Sequence, residues 1–302
     1  MMAERSCYSN RYPIDHWIRT ADPKTALEIT LKQQALAYSR VKNRFLFELL
    51  GEVSDSAVLD FGCGAGYLAV ESAKRGASLV VGADAEFRLL AAARLHAAHH
   101  GVISKCLFVQ ADQLTFFSGS EAAPPAASHS GDHESMKRGI MFDAVILRDV
   151  LEHVPDDVGL LKSVARVLKP GGRLVIATQN AWSLNFVLEG AFRRYVMGQP
   201  GWMGWDPTHL RFFTPPVLSQ RLRAAGLRVT GWRSAYLVPH KFPAPPGSSR
   251  QYWRLECLTL LDRVLGRVPP FDRLGWSLMV RAELRHSDSE CPRDAARVSL
   301  LC

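Results

Sequence analysis

Three glycines at alternate positions, Gly62, Gly64 and Gly66, follow a short apolar run at residues 57–61. Glycine at a turn from a strand to a helix lets the backbone approach a ligand closely and directs helix N–H groups at an anion. The G-x-G-x-G spacing differs from the G-x-G-x-x-G of dinucleotide-binding turns. Asp60 also stands two positions before the first glycine, where it would repel a pyrophosphate. The segment therefore favours a ligand that carries a positive charge, such as an ammonium or sulfonium group.

A second group of polar residues, Asp149, Glu152 and His153, follows the apolar residues 142–147. In a helical turn the spacing i, i+3, i+4 places three side chains on one face, and we expect that arrangement here. His209 lies further along the chain, within an aromatic-rich segment. An imidazole has a pKa near neutrality and exchanges protons readily, so His153 and His209 are candidates for catalysis.

Short apolar runs alternate with helical patterns along most of the chain, and this alternation must position the polar residues. It implies right-handed crossovers and a parallel sheet that is covered by helices on both faces. We expect strands at 57–61, 79–83, 106–110, 142–147, 173–178, 227–237 and 276–283. We expect helices at 22–50, as one helix or a broken pair, and at 67–75, 86–100, 156–168, 216–225 and 251–265.

Two segments do not fit this alternation. Residues 118–139 are rich in Ser, Ala, Pro, Gly and His and have almost no large apolar residue, which predicts a disordered insertion. We also expect a disordered tail at 286–302. The rest of the chain is predicted to form a helical cap at 1–50, a core at 51–180, and the second half of the same domain at 181–285.

The composition is that of an ordinary globular protein, with 47% hydrophobic and 22% charged residues. No run approaches the roughly 20 apolar residues of a membrane-spanning helix. The first residues lack the apolar stretch of a secretory signal. None of the six cysteines forms a CxxC pair, so we expect neither a zinc site nor a disulfide framework, and a cytoplasmic location.

The net charge of +8 is unevenly distributed, because residues 181–302 hold 17 basic and 9 acidic residues while residues 1–180 hold 20 of each. The basic half is either an ordinary solvated surface or a face for an anionic partner, such as nucleic acid or lipid headgroups. The apolar, Arg-flanked helix at 251–265 is predicted to pack on the sheet or, alternatively, to lie at a membrane interface. No base-stacking motif is recognisable, so nucleic acid is the less favoured partner.

Residues 58–66 resemble motif I of the class I methyltransferases, and the resemblance continues in order along the chain. Residues 142–147 and 168–172 resemble the fourth strand of that family and the turn before its fifth. The resemblance is strong from about 50 to 180 and weak from about 205 to 240. It implies an α/β fold with a doubly wound, mostly parallel seven-stranded sheet, helices on both faces and an antiparallel last strand.

The resemblance also implies S-adenosylmethionine as the cofactor. Asp84 stands where the family places an acid that binds the ribose hydroxyls, and Asp112 stands where it contacts the adenine amino group. In related enzymes an arginine near residue 44 holds the methionine carboxylate, and we favour Arg44 over Arg40. The implied cofactor-binding residues are Asp60, Gly62, Cys63, Gly64, Gly66, Asp84, Ala85, Asp112, Gln113, Arg148 and Arg44.

Within this class, residues 148–155 resemble the branch that includes the ubiquinone-biosynthesis O-methyltransferases. In some of those enzymes a Glu-x-x-Glu-His pattern is implicated in holding a divalent metal. The resemblance therefore implies that Asp149, Glu152 and His153 bind an ion such as magnesium, which would lower the pKa of a bound hydroxyl. The alternative is that the histidine orders the loop beside the sulfonium.

Residues 202–213 resemble the acceptor-side lid of the same branch, residues 206–214 match its Asp-x-x-His-x-Arg-x-Phe-like segment, and the resemblance makes His209 a candidate general base. His153 and Asp149 are further candidate catalytic residues. The alternative for His209 is that it pins the lid through hydrogen bonds. Aromatic residues of the lid are predicted to line an apolar pocket or to belong to the core: Tyr195, Trp202 and Trp205.

The implied function is the O-methylation of a small-molecule or lipid-like hydroxyl acceptor, with peripheral membrane contact as an additional expectation. Two alternatives stay open: a methyltransferase that acts on RNA or another macromolecule, and a binding protein of the methyltransferase type without activity. A nicotinamide-dependent oxidoreductase is disfavoured by Asp60 and by the spacing of the glycines.

Overall fold

The structure is a computed structural model that describes residues 19, 22–112, 114, 140–202, 204, 206, 208–238, 241–243 and 252–285. Several sequence predictions lie outside the described residues: Gln113, Trp205, the insertion at 118–139, the tail at 286–302 and most of the cap before residue 22.

Seven strands form the central sheet, and two short strands form a separate hairpin. The strands are β1 (Ala57–Phe61), β2 (Leu79–Asp84), β3 (Cys106–Gln110), β4 (Phe142–Arg148), β5 (Leu168–Gln179), β6 (Leu227–Ala235), β7 (Lys241–Pro243), β8 (Tyr252–Arg254) and β9 (Ser277–Leu284). The order in the sheet is β3-β2-β1-β4-β5-β9-β6. Only β9 runs antiparallel to its neighbours, β5 and β6, which confirms the predicted mostly parallel sheet with an antiparallel last strand.

Eight α-helices are present in the described part of the chain. They are α1 (Pro23–Gln34), α2 (Ala37–Leu50), α3 (Tyr67–Lys74), α4 (Phe87–His99), α5 (Asp157–Val167), α6 (Leu184–Ala191), α7 (Pro215–Ala224) and α8 (Thr259–Leu265). Asp22 caps α1 by accepting a hydrogen bond from the backbone N–H of Thr25 at 2.9 Å. None of the described helices is long and apolar enough to cross a lipid bilayer.

Side chains of the central strands alternate between two cores, one on each face of the sheet. Leu59 and Val145 pack in the core that α5 and α7 cover, whereas Val58 and Ile146 pack in the core that α2, α3 and α4 cover. Because both faces are buried, the strands read as nearly continuous apolar runs. The polar residues that follow these runs are therefore collected at the carboxyl edge of the sheet, where open α/β sheets bind ligands.

The predicted helix at 251–265 is wrong in its first half. Residues Tyr252–Arg254 form β8, which pairs antiparallel with β7, and a short 3-10 turn at Glu256–Leu258 precedes α8. Tyr252 and Trp253 have high strand propensity, and pairing in a hairpin outweighs the helical pattern of their neighbours. In α8 the side chains of Leu260 and Val264 are 56% and 67% exposed, so they do not pack on the sheet.

Two strand ends also differ from the prediction. β5 begins at Leu168 rather than near residue 173, because the glycines of the Lys-Pro-Gly-Gly turn form an irregularity inside the strand, opposite Phe142 and Ala144. β6 ends at Ala235 rather than at residue 237, because Tyr236 has a φ of +65°. A positive φ in a bulky residue is incompatible with an extended strand.

Candidate functional site

The glycine-rich turn joins β1 to α3 and leaves open space for a ligand. Gly62 and Cys63 both donate their backbone N–H to the carbonyl of Ala83, at 2.7 and 3.0 Å. Gly62 has a φ of +78°, and a Cβ there would lie 2.4 Å from Cγ2 of Val150, so a larger residue does not fit. At Gly64, by contrast, no described atom lies within 4 Å of the position that a Cβ would take.

The other two predicted residues of the turn act through packing rather than chemistry. Gly66 precedes α3 with a φ of +74°, and a Cβ there would lie 2.8 Å from Cβ of Ala93. Burial raises the pKa of the Cys63 thiol well above its usual value, so the thiol stays protonated. Cys63 thus contributes its backbone to the turn.

Asp60, at the carboxyl end of β1, carries a buried oxygen without a partner. The residue is 2% exposed, and Oδ2 has no hydrogen-bond partner among the described residues. Burial raises the pKa of Asp60 to about 7, although the nearby guanidinium of Arg148 lowers it. A buried acid in this state is stabilised by a cation or a hydrogen-bond donor from a ligand.

Asp84, at the end of β2, ties the glycine turn to the next loop. Its Oδ2 accepts a hydrogen bond from the N–H of Gly64 at 2.7 Å, and its Oδ1 accepts one from the N–H of Glu86 at 2.8 Å. Burial raises the pKa of Asp84, and both N–H groups lower it. Ala85 is half-buried beside it, and Asp112 is exposed just after β3. Asp60 and Asp84 thus lie at the carboxyl ends of the adjacent strands β1 and β2, and Asp112 follows the next strand, β3.

Asp149 is held by a buried lysine. Nζ of Lys42, on α2, donates to both carboxylate oxygens of Asp149 at 2.7 and 2.5 Å. Nε of Arg148 lies 3.6 Å from Oδ2 of Asp149, and its Nη1 donates to Oε1 of Gln34 at 3.1 Å. Burial raises the pKa of Asp149, but Lys42 and Arg148 outweigh it and hold the pKa below its usual value. The acid therefore stays ionised.

The structure corrects the expectation that Asp149, Glu152 and His153 share one face of a helical turn. Asp149 has a φ of +54°, so the chain is not helical there, and a 3-10 turn spans only Leu151–His153. The carboxylate of Asp149 consequently points to Lys42 and not to the imidazole.

Arg44 is also placed differently from the prediction. It is exposed on α2, and two positions along a helix correspond to a rotation of roughly 200°. Since Lys42 faces the buried Asp149, Arg44 faces away from it. Arg40 is exposed as well and donates to the carbonyl of Ala35 at 2.7 Å. Among the basic residues of α2, Lys42 is thus the one that reaches the carboxyl edge of the sheet.

Glu152 is fully buried between β5 and the lid. Its Oε2 accepts a hydrogen bond from Oγ1 of Thr178 at 2.9 Å, and its Oε1 accepts one from Nε2 of Gln179 at 3.4 Å. Its carbonyl accepts a hydrogen bond from the N–H of Leu210 at 2.9 Å. Burial, together with the negative charge of Asp149, raises the pKa of Glu152 to about 8.

A chain of hydrogen bonds orients His153. Thr208 donates from Oγ1 to Oδ1 of Asp206 at 2.6 Å, and Nδ1 of His153 lies 3.0 Å from the same Oγ1. Because the threonine proton is directed at Asp206, the imidazole donates from Nδ1 to Thr208. This leaves Nε2 as the unprotonated nitrogen of His153.

His209 packs against His153, with the ring centroids 4.8 Å apart. Burial lowers the pKa of His209, and the positive charge that His153 can carry lowers it further. Its Nδ1 is buried without a hydrogen-bond partner among the described residues. One ligand atom each from Glu152, His153 and His209 lies within 4.8 Å of the other two. The possible ligand set thus replaces the predicted Asp149 with His209.

The lid aromatics pack on one another. Phe186, on α6, lies 4.5 Å from Phe212 and 5.7 Å from Trp202, measured between ring centroids, and Phe212 lies 5.3 Å from Trp276. Trp202 therefore belongs to this cluster. Tyr195 is 86% exposed and does not line an enclosed pocket.

Four contributing residues were not identified from the sequence. Lys42 lies on α2, the helix on which the resemblance placed a cofactor-binding arginine, and its basic side chain is the signal that could have identified it. Thr208 lies next to His209 within the lid segment. The remaining two, Thr178 and Gln179, end β5 as other polar residues end β1 and β2, and that position is the only signal they give.

A doubly wound sheet with a glycine-rich turn after β1 and acids at the carboxyl ends of its first three strands defines a Rossmann-like nucleotide-cofactor enzyme. The family described as a methyltransferase domain matches residues 31–231. The chain belongs to this family, the S-adenosylmethionine-dependent methyltransferases.

Relatives agree with this assignment, and a solved structure agrees with the fold. The ubiquinone biosynthesis O-methyltransferase of Aeromonas salmonicida is 32% identical over 63% of this chain and 70% of its own length. That of Cereibacter sphaeroides is 34% identical over 56% of this chain, which spans only 59% of that relative. The crystal structure of magnesium protoporphyrin IX methyltransferase from Synechocystis, with bound SAH, has a TM-score of 0.50 at 16% identity, over 82% of this chain and 86% of that one.

The residues present fit S-adenosylmethionine. The unpartnered Oδ2 of Asp60 suits the ammonium group of its methionine part, and the space in front of Gly64 suits close approach of a ligand to the backbone. Asp84 has the acceptor oxygens that ribose hydroxyls need, next to the same turn. No described feature of the turn contradicts binding of this cofactor.

We expect cofactor affinity to fall about tenfold between pH 8 and pH 6, because an acid with a pKa of about 7 loses most of its charge over that interval. The folded pKa of Asp60 is raised, so the carboxylate that attracts the cation is present above pH 7 and is lost below it. Calorimetric titration with S-adenosylmethionine measures this. Asp60→Asn is expected to bind weakly at both values with a smaller pH dependence, and equal wild-type affinity at pH 6 and 8 would contradict the assignment.

Proposed function

We propose that the protein methylates a hydroxyl group of a small-molecule or lipid-like acceptor. The observation that carries the proposal is the imidazole of His153, which Thr208 orients and which packs against His209. His153 follows β4, and β4 is the neighbour of β1, whose carboxyl end carries Asp60. Both relatives described above are named ubiquinone biosynthesis O-methyltransferases, which supports an oxygen acceptor. Catalytic roles for His153 and His209 are part of this proposal.

The chain has to hold the acceptor in line, exclude water and receive one proton. Bound S-adenosylmethionine supplies a methyl group that is activated by its positive sulfur. Nε2 of His153 takes the proton of the acceptor hydroxyl, so that the oxygen can bond to the methyl carbon while the bond from that carbon to the sulfonium sulfur breaks and the sulfur leaves. The hydrogen bond from Nδ1 to Thr208, and through Thr208 to Asp206, stabilises the resulting imidazolium. Asp149, which is paired with Lys42, holds the loop before His153 rather than receiving the proton.

A second way to activate the hydroxyl is a metal at Glu152, His153 and His209, which the grouping of their ligand atoms within 4.8 Å favours. Two imidazoles and one carboxylate suit Zn²⁺, Mn²⁺ or Fe²⁺ better than magnesium, which prefers oxygen ligands. In that case the metal, rather than an imidazole, would lower the pKa of the hydroxyl.

We further propose that the acceptor carries an apolar chain. On α6 and the π-helical turn after it (Phe192–Val196), apolar side chains recur at helical spacing and face solvent. Leu188 is 56% exposed and Val196 is 69% exposed, with Leu184, Val187 and Phe192 on the same stripe. An exposed stripe of this kind suits an apolar chain or the membrane surface that presents it.

The test is an assay of the purified protein with S-adenosylmethionine and a panel of acceptors: catechols, phenols with and without a prenyl chain, and transfer RNA. We expect an O-methylated phenol product, with a lower KM for the prenylated acceptor. Unchanged activity after chelator treatment supports the imidazole route, whereas loss that is restored by Zn²⁺ or Mn²⁺ supports the metal. Methylation of RNA alone, or binding of cofactor without any turnover, would overturn the proposal.

A further inference from the structure

The side-chain amide of Gln179 lies between the carboxyl groups of Asp149 and Glu152. Gln179 ends β5 and is 8% exposed. Its Nε2 lies 3.4 Å from Oδ1 of Asp149 and 3.4 Å from Oε1 of Glu152, and it donates to both. The opposite orientation of the amide would place Oε1 against Oδ1 of Asp149, an ionised carboxylate that has no proton to donate. Asp149 therefore decides which end of the amide is the donor and which is the acceptor.

This orientation leaves an acceptor atom unused. Oε1 of Gln179 is buried and has no hydrogen-bond partner among the described residues. Buried polar atoms of native proteins nearly always have a partner, and the exceptions tend to mark functional sites. The backbone carbonyl of Gln179 accepts a hydrogen bond from the N–H of Phe213 at 3.0 Å. The strand end is thus tied to the lid, and the side chain is held at the boundary between them.

Gln179 and the acids predicted to bind the cofactor lie on opposite sides of β4. Asp60 and Asp84 lie at the carboxyl ends of β1 and β2, and Asp112 follows β3, whereas β5 lies on the other side of β4. Thr178, the preceding residue, donates to Glu152, which is grouped with the two imidazoles. A hydrogen-bond acceptor at this place borders the atoms to which the acceptor hydroxyl must come.

We propose that Gln179 is a specificity-determining residue whose Oε1 accepts a hydrogen bond from an O–H or N–H group of the methyl acceptor, in addition to the hydroxyl that is methylated. The inference rests on the proposed O-methyl transfer and adds a requirement to it. An acceptor with a second hydrogen-bond donor satisfies the unused oxygen, while an acceptor without one leaves it buried and unpaired.

The test compares two phenolic acceptors that differ only in a second, adjacent hydroxyl. We expect wild-type protein to prefer the dihydroxy acceptor by at least about tenfold in kcat/KM. Gln179→Met keeps the length of the side chain and removes the acceptor atom. It is expected to lower kcat/KM for the dihydroxy acceptor at least about tenfold more than kcat/KM for the monohydroxy acceptor, so the preference disappears.

Two controls separate recognition from structural support. Gln220→Met, at an exposed position of α7, is expected to change nothing, and affinity for S-adenosylmethionine is expected to stay the same in both variants. If Gln179→Met folds poorly, Gln179→Asn, which withdraws the amide by one carbon, is expected to reduce the preference in the same direction. An equal loss with both acceptors, or an unchanged preference, overturns the inference alone. Failure of the wild type to methylate either phenol overturns the proposed function as well.

Discussion

Replacing His153 with alanine is expected to lower kcat for methyl transfer to a phenolic acceptor by about 10²- to 10⁴-fold, the range that a general base contributes. The imidazole is oriented by Thr208, whose Oγ1 lies 3.0 Å from Nδ1 and donates to Asp206. The unprotonated Nε2 is the group that the substitution removes. The cofactor-binding candidates Asp60 and Asp84 lie on other strands, so S-adenosylmethionine affinity, measured by calorimetry, is expected to remain within about twofold of the wild type.

Two matched variants make this result interpretable. His99→Ala, at an exposed position of α4, removes an imidazole elsewhere and is expected to leave kcat unchanged. Thr208→Val removes only the orienting hydroxyl, and we expect a loss of about tenfold, as is typical when a partner of a functional histidine is lost. Retention of more than about a tenth of kcat in His153→Ala would exclude it as the base. A large loss in His209→Ala alone would transfer that role to His209.

Replacing Asp84 with alanine is expected to weaken S-adenosylmethionine binding about 100-fold. The carboxylate fixes the turn through the N–H groups of Gly64 and Glu86, and hydrogen bonds to charged groups contribute about 1.5–3 kcal/mol each. Alanine removes both bonds and the acceptor proposed for the ribose hydroxyls. Calorimetric titration of the wild type and the variant at one pH measures the effect directly.

Asp84→Asn and Glu256→Ala are the corresponding controls. Asparagine keeps one acceptor oxygen, so we expect its affinity for S-adenosylmethionine to lie between those of the wild type and Asp84→Ala. Glu256 is exposed, and its substitution is expected to leave binding unchanged. Thermal unfolding without cofactor checks that the Asp84 variants are folded. Equal affinity of Asp84→Ala and the wild type would remove Asp84 from the cofactor site.

The local sequence determined most of the sheet and the predicted cofactor-binding residues at the ends of its strands. Strand β1 lies where its apolar run predicts it, because a strand buried on both faces needs a continuous apolar run. Gly62 and Gly66 could be recognised because a positive φ and close packing admit only glycine there. Asp60 and Asp84 end such strands, so chain order alone brings them to one edge.

The tertiary structure decided the other half, where partners are far apart in sequence. Lys42 and Asp149 are 107 residues apart and meet only because α2 packs over the sheet, and this pairing withdraws Asp149 from the predicted metal ligands. His153 and Thr208 are 55 residues apart and meet because the lid folds back. Spacing in sequence fixes the relation between side chains only within a regular element. Across elements, packing and hydrogen bonding determine the partner. The positive φ of Asp149 is incompatible with the helical turn that we predicted from the spacing of Asp149, Glu152 and His153.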